Sequence, residues 1–367
     1  VPGVRAVRAG TVAAVREARA TMDANVLVIE PDAPLDAVLE AVSAFVDEGF
    51  VPDADRVRRL VQVMEFETSG TIEGWQIRYG DAALDSTGRP PSAAPRAVVY
   101  DRRGDPSVLR TAHVEEVRPG PGEVRVAVRI AGLNPFDAKV RYGRIPLPEP
   151  TFPAGVGQDF AGTVDAVGED ARYTDGTPVA VGDNVLGWTE SQGAARDQLL
   201  VDARQIARKP PRLEWALAGT LATAGLTARA CLDLLRIGPD DVVLVSSAAG
   251  GVGSVYTQLA LDRKAFVIGT AGPDNLGHVR SLGAVALPYG PHLARRVAEV
   301  LPGPLTAVQD NHGRDTAEAG LALGVPSKRV ITIADHAAVE ELGLSSPGRY
   351  RRSAATLAEL ADMAARG

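Results

Sequence analysis

The stretch Asp241-Val-Val-Leu-Val-Ser-Ser-Ala-Ala-Gly-Gly-Val-Gly253 runs an apolar strand into a tight turn of small residues. Val242 to Val245 read as the strand, and a helix is predicted to begin near Ser254. Glycines at 250, 251 and 253 let the backbone approach a pyrophosphate closely. The start of the helix then offers unpaired N–H groups and the positive end of its dipole. The spacing is Ala248-x-Gly250-x-x-Gly253, so alanine replaces the first glycine of the dinucleotide fingerprint. Such turns also serve plain strand–helix packing, but the strand before and the helix after favour a nucleotide site. Ala249, Gly250, Gly251, Val252 and Gly253 are therefore candidate cofactor-binding residues.

The second strand of the unit points to which nucleotide. Lys264-Ala-Phe-Val-Ile-Gly-Thr-Ala-Gly272 ends in small neutral residues. An NAD-binding chain places Asp or Glu there, about 20 residues past the first glycine, to hold the ribose 2′-OH. Gly269, Thr270, Ala271 and Gly272 instead leave room for a 2′-phosphate, so NADP(H) is favoured over NAD(H), with Thr270 and Gly272 as candidate contacts. Asp274, the first acid, follows Pro273 and is expected to cap a helix over 275–282. The cations nearest in sequence are Lys264, His278 and Arg280. Tyr289 ends an expected strand at 285–289 and is a candidate to stack near the adenosine phosphate, with a surface tyrosine as the alternative. Asp310-Asn-His-Gly313 follows an expected strand at 305–309, at the carboxyl edge where doubly wound folds bind ligands. Asn311 is the candidate there, with His312 beside it, and a simple Asx turn is the alternative.

The organisation around this unit is α/β. From about 213 to 338 strands alternate with helical patterns, as a parallel sheet requires. Residues 96 to about 212 show short β runs, at 97–100, 123–130 and 161–167, broken by Gly-Pro punctuation. Residues 339–367 are expected to return to this first region, with an amphipathic helix over 353–365. A turn-rich linker occupies 85–95. Residues 1–84 read as a small α+β unit of unknown role. It has helical patterns at 11–22 and 35–46 and strands at 26–30, 61–66 and 74–80.

Composition excludes several classes. The 367-residue chain is 45% apolar and 23% charged with a net charge of −7, so nucleic acid is not its expected partner. No run approaches the roughly 18 apolar residues of a membrane span, and the start lacks the apolar core of a signal peptide. A single cysteine, Cys231, rules out an intrachain disulfide and suits a reducing cytoplasm. The five histidines, at 113, 278, 292, 312 and 336, show no paired ligand spacing, so no metal site is expected. Arginine far outnumbers lysine and alanine and valine abound, a bias associated with high-GC bacteria.

Four ordered motifs carry a family resemblance: Pro153-Ala-Gly-Val-Gly-Gln-Asp-Phe-Ala-Gly-Thr-Val164, Val181-Gly-Asp-Asn-Val185, Thr223-Ala-Gly-Leu-Thr-Ala228 and the Ala-Ala-Gly-Gly-Val-Gly turn. Over residues 96–367 the chain resembles a zinc-independent medium-chain dehydrogenase/reductase of the quinone oxidoreductase type. The resemblance implies a doubly wound Rossmann nucleotide domain and a partly open β-barrel (GroES-like) catalytic domain, with the active site in the cleft between them. It also implies hydride transfer from NADPH to quinones, enones or other activated alkenes, and a homodimer is the expected assembly. Where zinc-dependent relatives carry Cys and His, this chain has Asn134 and Gln158. Gly367 falls short of the family's final helix and strand and the first residue is Val, so a fragment or an excised module is expected.

The resemblance places Asn134-Pro-Phe-Asp-Ala-Lys-Val-Arg-Tyr142 along the nicotinamide pocket. Asn134, Lys139 and Tyr142 are the catalytic candidates: Lys139 or Tyr142 to donate to the acceptor oxygen or relay a proton, and Asn134 to fix the ring or substrate. Asn134 is equally a helix N-cap, with Pro135 in the first turn and Asp137 three residues on, and Lys139 and Arg141 are then solvated. Thr227 resembles a family position facing the nicotinamide–ribose, and a packing role is the alternative. The expected function is an NADPH-dependent quinone or enone reductase. Two alternatives stay open: an enoyl reductase acting on a polyketide or other carrier-bound intermediate, and a non-catalytic cofactor-binding or assembly protein.

Overall fold

The computed structural model describes residues 94–145, 150–347 and 352–366, with the backbone of three strands at 6–9, 26–29 and 62–65. These residues divide into two compact units. One comprises residues 94–223 and 352–366 with the three strands, the other residues 224–347.

The first unit is mostly antiparallel sheet. Its strands are β1 (Ala6–Ala9), β2 (Val26–Ile29), β3 (Gln62–Glu65), β4 (Arg96–Tyr100), β5 (Leu109–His113), β6 (Glu123–Leu133), β7 (Ala154–Gly155), β8 (Asp159–Val167), β9 (Asn184–Trp188), β10 (Gln198–Asp202) and β11 (Ile206–Arg208). The main sheet runs β10-β6-β8-β9-β11, β5-β4-β7 form a second, and β1 and β2 pair in parallel. β6 pairs with β10 along its first half and with β3 along its last, with β8 on the other side. So β3, expected within a separate N-terminal unit, is hydrogen-bonded to this sheet. The helices expected at 11–22 and 35–46, the strand at 74–80 and most of the linker lie outside the described residues.

The sheet forms because its strands alternate. Val124, Val126, Val128 and Ile130 are buried at period two, while Arg125 points outward to Asp165 and Glu116 at 2.8 and 2.6 Å. The helices of this unit are α1 (Pro135–Arg141) and α2 (Trp215–Ala218), the first residues of α3 (Leu221–Leu234), and α9 (Ala354–Arg366). The amphipathic helix expected at 353–365 is α9. Its Ala354, Leu357 and Ala361, at helical spacing, are buried.

The second unit is a five-stranded parallel sheet in the order β14-β13-β12-β15-β16. In chain order it comprises β12 (Val242–Val245), α4 (Gly251–Asp262), β13 (Phe266–Ala271), α5 (Leu276–Ser281), β14 (Val285–Pro288), α6 (Leu293–Ala298), β15 (Ala307–Asp310), α7 (Arg314–Ala322), β16 (Val330–Thr332) and α8 (His336–Glu341). The chain steps from β12 outward through β13 and β14, then returns to place β15 on the other side of β12. The direction of winding therefore reverses between β12 and β15, where open α/β sheets bind ligands outside the carboxyl ends of their strands. Val243, Leu244 and Val245 are buried because the strand is central and covered on both faces.

Three local expectations change. Helix α4 starts at Gly251, not near Ser254, with Gly250 in extended conformation before it. Asp274 sits inside a 3₁₀ turn (Pro273–Asn275), and the N-cap of α5 is Asn275. The region past 339, expected to rejoin the barrel, stays with the parallel sheet as far as Ser345, whose N–H donates to the Val330 carbonyl.

Candidate active site

The strand–turn–helix at 241–253 is held by its neighbours on both sides. Ser246 N–H donates to the Gln309 carbonyl and Ala248 N–H to the Thr270 carbonyl, both at 2.9 Å. Ser247 takes a left-handed φ of 50° at the turn, a conformation costing a non-glycine residue roughly 1 kcal/mol. The turn packs so closely on α4 that a Cβ on Gly253 would stand 2.0 Å from the Ser247 carbonyl oxygen. Ala248 replaces the first fingerprint glycine without a clash because its methyl faces Gly269. A Cβ there would lie 2.6 Å from the Ala248 Cβ.

The first intrahelical bond of α4 runs from Ser254 N–H to the Gly250 carbonyl at 2.8 Å. The N–H groups of Gly251, Val252 and Gly253 precede it and have no intrahelical acceptor. Ala249, Gly251 and Val252 keep partial exposure, while Gly250 and Gly253 are buried in the turn. Donors, dipole and close backbone approach together fit a pyrophosphate.

At the carboxyl edge of the sheet two of the candidates have fully buried side chains. Thr270 is fully buried, so its side chain offers a ligand no surface. Asn311 is also fully buried: its amide donates to the Ser246 carbonyl at 2.8 Å and accepts from Gln309 at 2.8 Å. The physical reason is that β12 and β15 end together, and their terminal polar groups must be satisfied internally. Asp310 is the hub. Its Oδ1 accepts from Ser246 Oγ at 2.7 Å and from the N–H groups of His312 and Gly313 at 3.0 and 2.9 Å, and its Oδ2 from Thr332 Oγ1 at 2.6 Å. This is the Asx turn held as the alternative. Gly272 borders open space. Tyr289 lies just past β14, and its ring stacks on His312 with centroids 4.4 Å apart. Thr227, on α3, is buried.

In the barrel unit, Asn134 caps α1 from the sequence side as expected. Its N–H donates to Asp137 Oδ2 at 2.6 Å, and Pro135 occupies the first turn. The Asn134 amide, however, turns toward Asp159 Oδ2 at 3.1 Å. Asp159 also receives the N–H of Thr223 at 3.0 and 3.1 Å and its hydroxyl at 2.5 Å. Thr223 lies in the first turn of α3, so a carboxylate from a distant strand satisfies an orphan donor there.

Gln158 accepts from Arg352 Nη2 at 3.0 Å and donates to the Thr189 carbonyl. Two amides beside a guanidinium are not a zinc donor set. Among the described residues no three His, Cys, Asp or Glu side chains cluster as metal ligands.

Burial pushes Asp137 up to about 7, against the opposing pull of the Asn134 N–H and with the nearby Asp159 charge adding to the rise. Asp159 is also raised by burial, with Thr223 and Arg352 drawing it back. Asp137 Oδ1 is buried without a hydrogen-bond partner.

Lys139 and Tyr142 stand three residues apart at the far end of α1, on one face, both partly exposed. The guanidinium groups of Arg141 and Arg144 sit 5.0 and 4.7 Å from the Tyr142 ring centre. Arg141 is buried, not solvated as the capping account had it. The structure thus gathers Lys139 with Tyr142 and sends Asn134 to Asp159. Sequence reading missed Asp159, Thr223, Arg352, Ser246 and Asp310. Four of these lie in quoted stretches, but the pairing of Asp159 with Thr223 across 64 residues has no local signal.

Comparisons with known proteins agree with this architecture. The family described as alcohol dehydrogenase GroES-like domain matches residues 120–223. The phthioceranic/hydroxyphthioceranic acid synthase of Mycobacterium tuberculosis is 37% identical over 182 residues, which is 49% of this chain and 8% of that protein. The quinone oxidoreductase of Pseudomonas aeruginosa is 31% identical over 236 residues, 63% of this chain and 70% of that protein. The solved quinone oxidoreductase from Coxiella burnetii matches with a TM-score of 0.66 at 26% identity, covering 74% of this chain and 88% of that one. The chain therefore spans 8% of the synthase's length and over two thirds of the oxidoreductase's. With the parallel sheet, the barrel and the four motifs in place, the chain belongs to the medium-chain dehydrogenases/reductases of the zinc-independent quinone oxidoreductase type.

Proposed function

We propose that the chain carries an NADPH-dependent reductase that delivers hydride to a conjugated acceptor, a quinone or an α,β-unsaturated carbonyl. The observation that carries this reading is the turn into α4, where Gly253 lies against the Ser247 carbonyl and the N–H groups of Gly251 and Val252, partly exposed, have no intrahelical acceptor. NADPH is favoured because β13 ends at Ala271, Gly272 after it borders open space, and neither residue is an acid that would take the ribose 2′-OH.

A bound reduced nicotinamide supplies the hydride. As the acceptor's carbon gains it, charge moves to the carbonyl oxygen, which needs a donor in place of a metal. Lys139 and Tyr142 are the donors in this reading, one holding the oxygen and one returning the proton that completes reduction. Asn134 is a positioning residue: through Asp159 it ties the start of α1 to the first turn of α3.

A second reading has a specific observation in its favour. Identity to the mycobacterial synthase, 37%, exceeds identity to the quinone oxidoreductase, 31%. On this reading the acceptor is an enoyl thioester carried by a biosynthetic assembly. NADPH oxidation measured with quinones, simple enones and enoyl thioesters separates the two, since fast turnover of thioesters alone selects the second. Lys139→Met is expected to lower turnover roughly 100-fold with unchanged NADPH affinity. Unchanged turnover removes Lys139 from the mechanism. NADPH binding without turnover of any acceptor returns the chain to a non-catalytic role.

A further inference from the structure

The sequence offered no convincing cation for a 2′-phosphate, because its nearest basic residues are spread along 264–280. The fold brings others. Tyr289 N–H donates to the carbonyl of Ala271 at 3.3 Å, which sets Tyr289 beside the last residue of β13. That is the position where doubly wound folds read the ribose 2′ substituent. β14 and β15 are separated by two strands, about 14 Å at the usual spacing. The rings of Tyr289 and His312 nevertheless stack at 4.4 Å with an interplanar angle of 21°. The two side chains therefore reach toward each other across the carboxyl ends of β12 and β13.

A cation frames the same place. Arg296, on α6, donates through Nη2 to the carbonyls of Pro288 and Gly290 at 3.0 and 3.1 Å, the residues flanking Tyr289. Among the described residues its hydrogen-bond partners are these neutral carbonyls, and its Nε is buried without one. A guanidinium so placed keeps its full charge for an anion. His312 is itself anchored through its backbone: its N–H is held by Ser246 Oγ and Asp310 Oδ1, both at 3.0 Å. Gly272, at the end of β13, has nothing within 4 Å of where a Cβ would stand, which leaves room for a phosphate.

We propose that His312 and Arg296 together form the seat for the 2′-phosphate of NADP(H), with the Tyr289–His312 stack as its flat wall, and that His312 determines the preference for NADPH over NADH. The inference rests on the dinucleotide reading above. A phosphate draws short, charge-assisted hydrogen bonds from an imidazole N–H and a guanidinium. Neither residue is supplied by the fingerprint turn itself: one lies just past β15 and the other on α6.

The test is direct binding of NADPH and NADH to the intact chain, followed by nicotinamide fluorescence, with 2′,5′-ADP as competitor. The wild-type chain is expected to bind NADPH about 10- to 100-fold more tightly than NADH. His312→Phe keeps a stacking ring but no N–H donor, and is expected to lose most of this ratio while NADH binding persists. Arg296→Met should reduce the ratio in the same direction, and 2′,5′-ADP should compete poorly with either variant. Retained NADH binding also reports that the variants are folded. An unchanged ratio in both variants overturns the proposal and leaves the dinucleotide site standing. Failure of the wild-type chain to bind either nucleotide overturns both.

Discussion

Gly253→Ala is expected to abolish measurable NADPH binding and to destabilise the nucleotide unit by about 1–3 kcal/mol or more. A methyl at this position would stand 2.0 Å from the Ser247 carbonyl oxygen, 2.7 Å from its carbon and 2.9 Å from the Ala248 Cα. All three are backbone atoms, so no rotamer change relieves the overlap. Ser247 is already in the left-handed region, and Ala248 is tied to β13 through the Thr270 carbonyl. The first turn of α4 must therefore lift away from the strand end. That displaces the N–H groups of Gly251 and Val252 from their approach to a diphosphate. Denaturant unfolding gives the stability loss and a fluorescence titration the binding loss. Binding retained within tenfold of wild type would show that this turn is not where the nucleotide is held.

The second large effect concerns pH. Asp137 keeps its proton to about 7 in the folded chain, whereas its ordinary value is 3.8. Below pH 4 both folded and unfolded chains hold the proton. Between about 4 and 7 only the folded chain holds it, so stability falls as pH rises through this window and levels off above it. The cost accumulated by pH 8 is on the order of 4 kcal/mol. Asp137→Asn preserves an oxygen to accept the Asn134 N–H and removes the titration. The variant is therefore expected to match wild type near pH 4 and to exceed its stability increasingly from pH 5 to 8. Asp159 is shifted in the same direction and leaves a residual slope in the variant. Unfolding midpoints at several pH values provide the measurement. Parallel pH profiles for the two proteins would mean that Asp137 is already ionised in the fold.

These two residues show how legibility varied along the chain. Gly253 was readable because the fingerprint is local: strand, turn and helix start fall within thirteen consecutive residues, and each type has one steric or electrostatic reason to be there. The start of α4 was misplaced by three residues for a related reason. Glycine is a poor helix former, so Gly251 and Gly253 read as turn, whereas contact with the Ser247–Ala248 backbone makes them the first helical turn. Ala248 looked like a defect in the motif. Its explanation, the missing side chain at Gly269, lies on the neighbouring strand and is visible only in the pairing of β12 with β13.

Asn134 and Asp137 illustrate the opposite case. Their spacing correctly announced a helix start, and the reciprocal bond from Asn134 N–H to Asp137 is present. Nothing in nine consecutive residues could say that the Asn134 amide would meet Asp159, that Asp159 would meet Thr223, or that Arg352 would arrive beside Gln158 from nearly 200 positions away. Thr270 and Asn311 lie at strand ends of the kind where ligands bind, yet both are fully buried. A strand end has an inner and an outer side, and a short terminal run shows no period long enough to tell them apart.

Periodicity and local turn chemistry thus settled the parallel sheet, the dinucleotide turn, the β-rich partner unit and the closing amphipathic helix, because these depend on interactions between residues a few positions apart. The buried carboxylates of the barrel unit, the Asp310 hub and the meeting of Tyr289 with His312 were decided by the three-dimensional arrangement. Each joins side chains from separate strands or helices, and the cost of leaving a polar group unpaired inside the protein selects those partners only once the strands have been brought side by side.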